Sequence, residues 1–141
     1  MKKFCVSVMT ALCVMFVCSV AMCYPEHLGG DEDYICCDGH QGIGYYLDKT
    51  SINVEQYDPP NYIIAVDVAM VEDADRGNTE IWRVETRHYY YNWDEQTMYL
   101  QNKNGEWKYL NPRGSRASGA TKILAGKIAF RLAYGMEFEA R

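Results

Sequence analysis

Thr79-Glu80-Ile81-Trp82-Arg83-Val84-Glu85-Thr86-Arg87-His88-Tyr89-Tyr90-Tyr91-Asn92-Trp93 alternates with a period of two over most of its length. That period places successive side chains on opposite faces of a β-strand. Trp82, Val84, Thr86, His88 and Tyr90 share one face, and Ile81, Arg83, Glu85, Arg87, Tyr89, Tyr91 and Trp93 share the other. The first set carries fewer charges, so it is the expected buried face, with Trp82 a large side chain of the core. Asp94-Glu95-Gln96 ends the strand.

Working outward, Tyr62 to Val71 is apolar almost throughout and reads as a central strand covered on both faces. Two shorter β-prone runs precede it, Tyr45 to Leu47 and Ile52 to Tyr57, on either side of the turn-forming Asp48-Lys49-Thr50-Ser51. Asp58-Pro59-Pro60-Asn61 breaks the chain next, because neither proline has an N–H for a strand ladder. On the carboxyl side, Met98 to Gln101 and Glu106 to Leu110 flank Asn102-Lys103-Asn104-Gly105, and Asn-Gly tolerates the positive φ angles of a tight hairpin. Leu124, Ile128 and Leu132 then recur at i+4 beside Ala125, Ala129 and Ala133, with Gly135 as a stop, which predicts a helix. The expected fold class is α+β: an antiparallel sheet of five to six strands with one C-terminal helix packed on a face.

Residues 1 to 23 read as a secretory signal peptide: Lys2 and Lys3, an uncharged run from Phe4 to Cys23, then small residues at Ser19 and Ala21. Ser19-Val20-Ala21 fits cleavage after Ala21, Ala21-Met22-Cys23 fits cleavage after Cys23 less well, and a lipoprotein reading would acylate Cys23, although Met22 stands where such signals carry a small residue. A membrane span fits less well, since no stop-transfer charges follow the run. Four of the six cysteines lie in this segment, which leaves Cys36 and Cys37. Without Lys2 and Lys3, twelve Lys and Arg face 19 Asp and Glu, a net charge of −7. Such a balance argues against nucleic acid as a partner, because that affinity comes from clustered Lys and Arg on phosphates. Residues 24 to 42, with Pro25, four glycines and Asp31-Glu32-Asp33, are the expected flexible acidic lead, and 43 to 141 the single globular domain.

Candidate chemistry is sparse. Tyr89, Tyr91 and Trp93 on one strand face, with Tyr99, Trp107 and Tyr109 from the adjoining hairpin, form the expected platform for sugar rings or a protein partner. Arg113, Arg116 and Lys122 gather where the helix should begin, and helix N-termini favour anions. Gly114 to Thr121 nearly spells the phosphate-cradling loop, but Ala120 stands at the position of its lysine and no buried parallel strand precedes it. Cys36-Cys37-Asp38-Gly39-His40 groups metal-ligating residue types at a spacing too tight for both thiols to reach one ion. His88 has no nucleophile motif beside it, so it reads as a satisfied histidine on a sheet face. No catalytic residue, cofactor or metal is expected.

Tyr45-Tyr46-Leu47-Asp48-Lys49-Thr50-Ser51-Ile52, Pro59-Pro60-Asn61-Tyr62-Ile63-Ile64-Ala65-Val66, Trp107-Lys108-Tyr109-Leu110 and Ala129-Phe130-Arg131-Leu132-Ala133-Tyr134 carry a resemblance. Together they resemble small exported proteins of anaerobic bacteria and, more distantly, the surface-adhesin protein E-like domains. The resemblance covers residues 43 to 138, and its motifs are strand, turn and helix signatures without catalytic content. It implies a surface-exposed or periplasmic module of mostly antiparallel sheet, with adhesion as a function. The expectation is thus an exported, non-enzymatic interaction module whose partner is a protein or glycan of the envelope or host surface. A carbohydrate- or anion-binding module stands second, and a small exported hydrolase third.

Overall fold

The computed structural model describes residues 24–115 and 119–141. The expected signal peptide, and with it Cys23, lies outside these residues, as does Arg116. In chain order the strands are β1 (His27–Leu28), β2 (Asp31–His40), β3 (Ile43–Asp58), β4 (Asn61–Val71), β5 (Ile81–Asn92), β6 (Thr97–Gln101) and β7 (Trp107–Tyr109). Each pairs antiparallel with its neighbour in sequence, so the described residues form one seven-stranded meander without a crossover. Helix α1 (Ala120–Tyr134) packs on one face, and Gly135 ends it in the left-handed conformation at φ 67°, donating its N–H to Arg131 O. The α+β expectation holds, with seven strands in place of five to six. Among the described residues no helix is long and apolar enough to cross a membrane.

The additional strands come from the segment expected as a flexible lead. Three of its four glycines are hairpin devices: Gly29 and Gly30 turn β1 into β2 at φ 59° and 78°, and Gln41 with Gly42 turns β2 into β3 at 52° and 83°. Paired positive φ angles are the backbone of tight hairpin turns. The fourth, Gly39, stands inside β2, where the Tyr24 ring occupies the space of a Cβ. The turn expected at Asp48 to Ser51 is instead an irregularity inside β3, where the register against β4 shifts between Asp48 and Asn53. Asp48 Oδ1 accepts from the Thr50 N–H and hydroxyl, and Ser51 Oγ donates to Asp48 O while accepting from the Asp67 N–H. Local Asp and Ser chemistry bends the strand, and the ladder resumes beyond it.

The faces of β5 are reversed relative to expectation. Tyr89 and Tyr91 are wholly buried under α1, whereas Trp82 and Val84 are 50 % and 55 % exposed. The reason lies in how closely the helix approaches. Ala125, Gly126 and Ala129 face the sheet, and a Cβ added at Gly126 would stand 2.6 Å from Met98 Sδ and 2.7 Å from the Tyr89 ring. At that distance the Tyr89 hydroxyl donates to Lys122 O at 2.7 Å and the Tyr91 hydroxyl to Gly126 O at 2.6 Å. Tyrosine fits here better than the Trp82 set, because its polar tip meets a helix carbonyl while its ring fills the core. Ile123 and Phe130 supply the bulk of the buried helical stripe, and Leu124 and Leu132, expected in it, are exposed. Phe130 lies within 5.4 Å of the rings of Tyr62, Tyr91, Trp93, Tyr134 and Phe138.

A smaller core lies on the opposite face at one end of the sheet. Leu28, Tyr46, Ala69, Val71 and Ala74 are buried there, with Tyr24 and Ile81 packed against them. Tyr46 donates its hydroxyl to Pro25 O, and the Tyr24 oxygen accepts from the Gly42 N–H, so the residues ahead of β1 close this end. Among the described residues, no helix covers the remainder of that face.

Candidate functional site

Strand pairing assigns the side chains of the uncovered face. Tyr90 is opposite Tyr99, Tyr99 opposite Tyr109, and Gln101 opposite Trp107, so these five residues project from one side of β5, β6 and β7. Their rings are continuous: Tyr109 to Tyr99 5.7 Å, Tyr99 to Tyr90 5.4 Å and Tyr90 to Trp107 5.9 Å between centroids. Trp107 and Tyr109 are 38 % and 48 % exposed. The Tyr90 hydroxyl donates to Asn61 Oδ1, which fixes the inner ring of the row. The Tyr109 hydroxyl donates to Arg141 O, so the outer ring is tied to the chain terminus. There the row meets a cavity of about 520 Å³ lined by Tyr109, Asn111, Pro112, Arg113, Ala140 and Arg141.

Beyond the rings the same face turns polar. His88 Nδ1 lies 2.9 Å from Glu55 Oε2, a contact that spans β4 where Ala65 stands opposite His88. Alanine keeps the gap open, and Glu55 lies two residues beyond Asn53, the partner of Ala65, and so shares this side of β3. The Thr86 hydroxyl donates to Asp67 Oδ1 at 2.6 Å, and Asp48 stands opposite Asp67, so Glu55 lies nearest the aromatic row and Asp67 and Asp48 lie farther along the sheet. This arrangement offers flat apolar surfaces and hydrogen-bond acceptors side by side. His88 is held by a carboxylate, in keeping with a satisfied histidine.

Of the expected platform, Tyr99, Trp107 and Tyr109 lie on this open face, while Tyr89, Tyr91 and Trp93 do not. Trp93 stacks on Phe130 at 5.4 Å and 13°, and Tyr89 and Tyr91 form the core beneath α1. The platform as read from the sequence is therefore divided by the sheet. Its missing member is Tyr90, which the period of two had grouped with Trp82. The hairpin register would have identified it, since a residue directly across from Tyr99 must share its face.

The expected anion contacts separate as well. Arg113 lines a cavity with Asn111 and Arg141, whereas Lys122 lines two others, one with Glu85 and Arg87 and one with Lys103, Lys108 and Tyr109. Cys36 and Cys37, being consecutive in β2, point to opposite faces: Cys37 belongs to the core under the helix, and Cys36 packs at the smaller core. Burial pushes the Cys37 thiol up to about 12, so it is neutral at physiological pH and poor as a nucleophile or ligand. Among the described residues no group of three His, Cys, Asp or Glu side chains is placed to hold a metal ion.

No family model matches the chain, and no curated protein or solved structure matches it either.

Proposed function

We propose that the protein is an exported, non-catalytic binding module whose recognition surface is the open sheet face, and that its ligand chemistry is that of a glycan on an envelope or host surface. The observation that carries this reading is the continuous row Tyr90, Tyr99, Trp107 and Tyr109 on a face that bears no helix among the described residues, with Glu55 nearby on His88. Aromatic rings bind the C–H faces of sugars, and carboxylates accept from their hydroxyls. The reading also draws on the resemblance to surface-adhesin protein E-like domains and on the signal-like residues 1 to 23. A protein partner is the alternative occupant of the same surface, since exposed Tyr and Trp are typical anchors of interfaces.

Two measurements test this. A glycan array and pull-downs from envelope and extracellular-matrix fractions should yield a ligand whose affinity drops at least about tenfold in Trp107→Ala with Tyr109→Ala, at near-parental thermal stability. Retained binding by this double variant would reject the open face as the site, and capture of proteins with no glycan bound would favour the alternative. For export, mass spectrometry of protein from the native host should find an N-terminus between Met22 and Tyr24. Intact Met1 in a soluble cytoplasmic pool would overturn the localisation.

A further inference from the structure

The outermost strands of the sheet, β1 and β7, cover only two and three residues. A longer open edge lies inside the strand order. β5 pairs with β4 along its whole length but with β6 only from Tyr89 to Asn92, because β6 ends at Gln101. Among the described residues, no backbone hydrogen bond from another segment reaches the far side of β5 from Ile81 to Thr86. A space of about 310 Å³ opens there beside Glu85, with Gln101, Asn102, Lys103 and Lys122 among the residues around it.

An unpaired strand edge presents N–H and C=O groups as a template for another strand, and folded proteins guard such edges with proline, lysine or a covering segment. Ile81 to Thr86 contains neither proline nor lysine. A bulge at Trp82, where β4 passes from Met70 opposite Arg83 to Val71 opposite Ile81, bends one end, so the regular edge runs from Arg83 to Thr86. Apolar side chains stand in solvent along it: Trp82 is 50 % and Val84 55 % exposed.

The charges on this edge select its occupant. Arg83 is exposed and makes no side-chain hydrogen bond or ion pair among the described residues. Glu85 is 37 % exposed and holds Arg87 through Oε2 alone. Set antiparallel to a second copy with Val84 opposite its twin, Arg83 stands opposite Glu85 and Glu85 opposite Arg83, so both charge pairs are attractive. Sliding one strand by two residues, the smallest step that keeps the faces matched, sets Arg83 against Arg83 or Glu85 against Glu85 instead.

We propose that β5 pairs through this edge with β5 of a second copy, antiparallel and centred on Val84, which joins the two sheets into one. Residues opposite each other share a face, so both aromatic rows lie on the same side of the joined sheet. Two rows on one side give a repeating ligand two points of attachment, with the avidity that follows. The pairing itself does not depend on what that face binds. The ladder is short and buries less than the roughly 800 Å² per partner of a standard interface, so the dimer forms reversibly and at high concentration.

Sedimentation velocity of the purified protein, from micromolar to millimolar concentration, should show a reversible equilibrium between monomer and dimer. Val84→Lys sets two ammonium groups against each other at the axis, and Arg83→Glu sets carboxylate against carboxylate. Each should weaken the dimer at least about tenfold at near-parental thermal stability, since both positions are exposed; if one variant fails to fold, the other decides. Under mild oxidation Val84→Cys should link to its twin and Trp82→Cys should not, with mass spectrometry of the linked peptides separating these bridges from any through Cys36 or Cys37. A monomer at every concentration, a dimer as tight in the charge variants as in the parent, or a dimer in which Val84→Cys forms no link would overturn the proposal.

Discussion

Tyr91→Ala should destabilise the domain by about 3 to 5 kcal/mol, whereas Trp82→Ala should cost less than about 1 kcal/mol. The contrast follows from which face of β5 the helix covers. The Tyr91 ring has no exposed surface, lies 4.9 Å from Phe130 and 5.2 Å from Phe138, and sends its hydroxyl to Gly126 O. Its removal leaves a ring-sized cavity between sheet and helix where the closeness of Gly126 prevents collapse. Trp82 is half-exposed near one end of its strand, so its truncation removes surface rather than core. Against a total stability of about 5 to 15 kcal/mol, the first substitution leaves little margin and the second leaves most of it. Chemical denaturation of both variants decides the matter. Equal losses would mean that α1 does not pack on the Tyr89 and Tyr91 face.

That contrast also shows where the sequence was legible. The period of two in Ile81 to Trp93 correctly announced a strand, and Asn102 to Gly105 correctly announced a hairpin, with Gly105 at φ 81°. Periodicity sorts residues into two sets without saying which set the helix covers. Hydrophobicity was a poor arbiter here, because Trp82 and Val84 are more apolar than the Arg83, Glu85, Arg87 set. The deciding factor was tertiary: small residues on α1 bring its carbonyls within reach of two tyrosine hydroxyls, and no local pattern in β5 encodes that. The helix and its stop at Gly135 were legible, but not its buried stripe: Leu124 and Leu132 belong to the i+4 series yet are exposed, and Ala125, Gly126 and Ala129 form the stripe that permits close approach. The candidate site inherits the face error. Three of its six aromatics moved into the core, and the three from the hairpin stayed on the surface with Tyr90 added.

Raising the pH above 10 should unfold the protein steeply, through the same two tyrosines. Burial pushes the Tyr89 phenol up to about 12 and that of Tyr91 well above its ordinary value. Below about pH 10 both phenols are protonated in the folded and unfolded chains alike, so they contribute no pH dependence there. Between about pH 10 and 12 the unfolded chain releases both protons while the folded chain retains them. Stability then falls with rising pH, by about 1.4 kcal/mol per pH unit for Tyr89, and Tyr91 acts in the same direction. A loss on this scale is a large part of the stability of many domains of this size. Tyr46, also raised to about 12 by burial, acts in the same direction. Tyrosinate absorbance from the buried phenols should therefore rise in step with loss of the near-ultraviolet circular dichroism. The double variant Tyr89→Phe with Tyr91→Phe should begin less stable at pH 8, having lost two hydrogen bonds to α1, yet decline less steeply above pH 10. An equal alkaline slope in parent and double variant would show that these phenols ionise freely in the folded chain, and would remove them from the core beneath the helix.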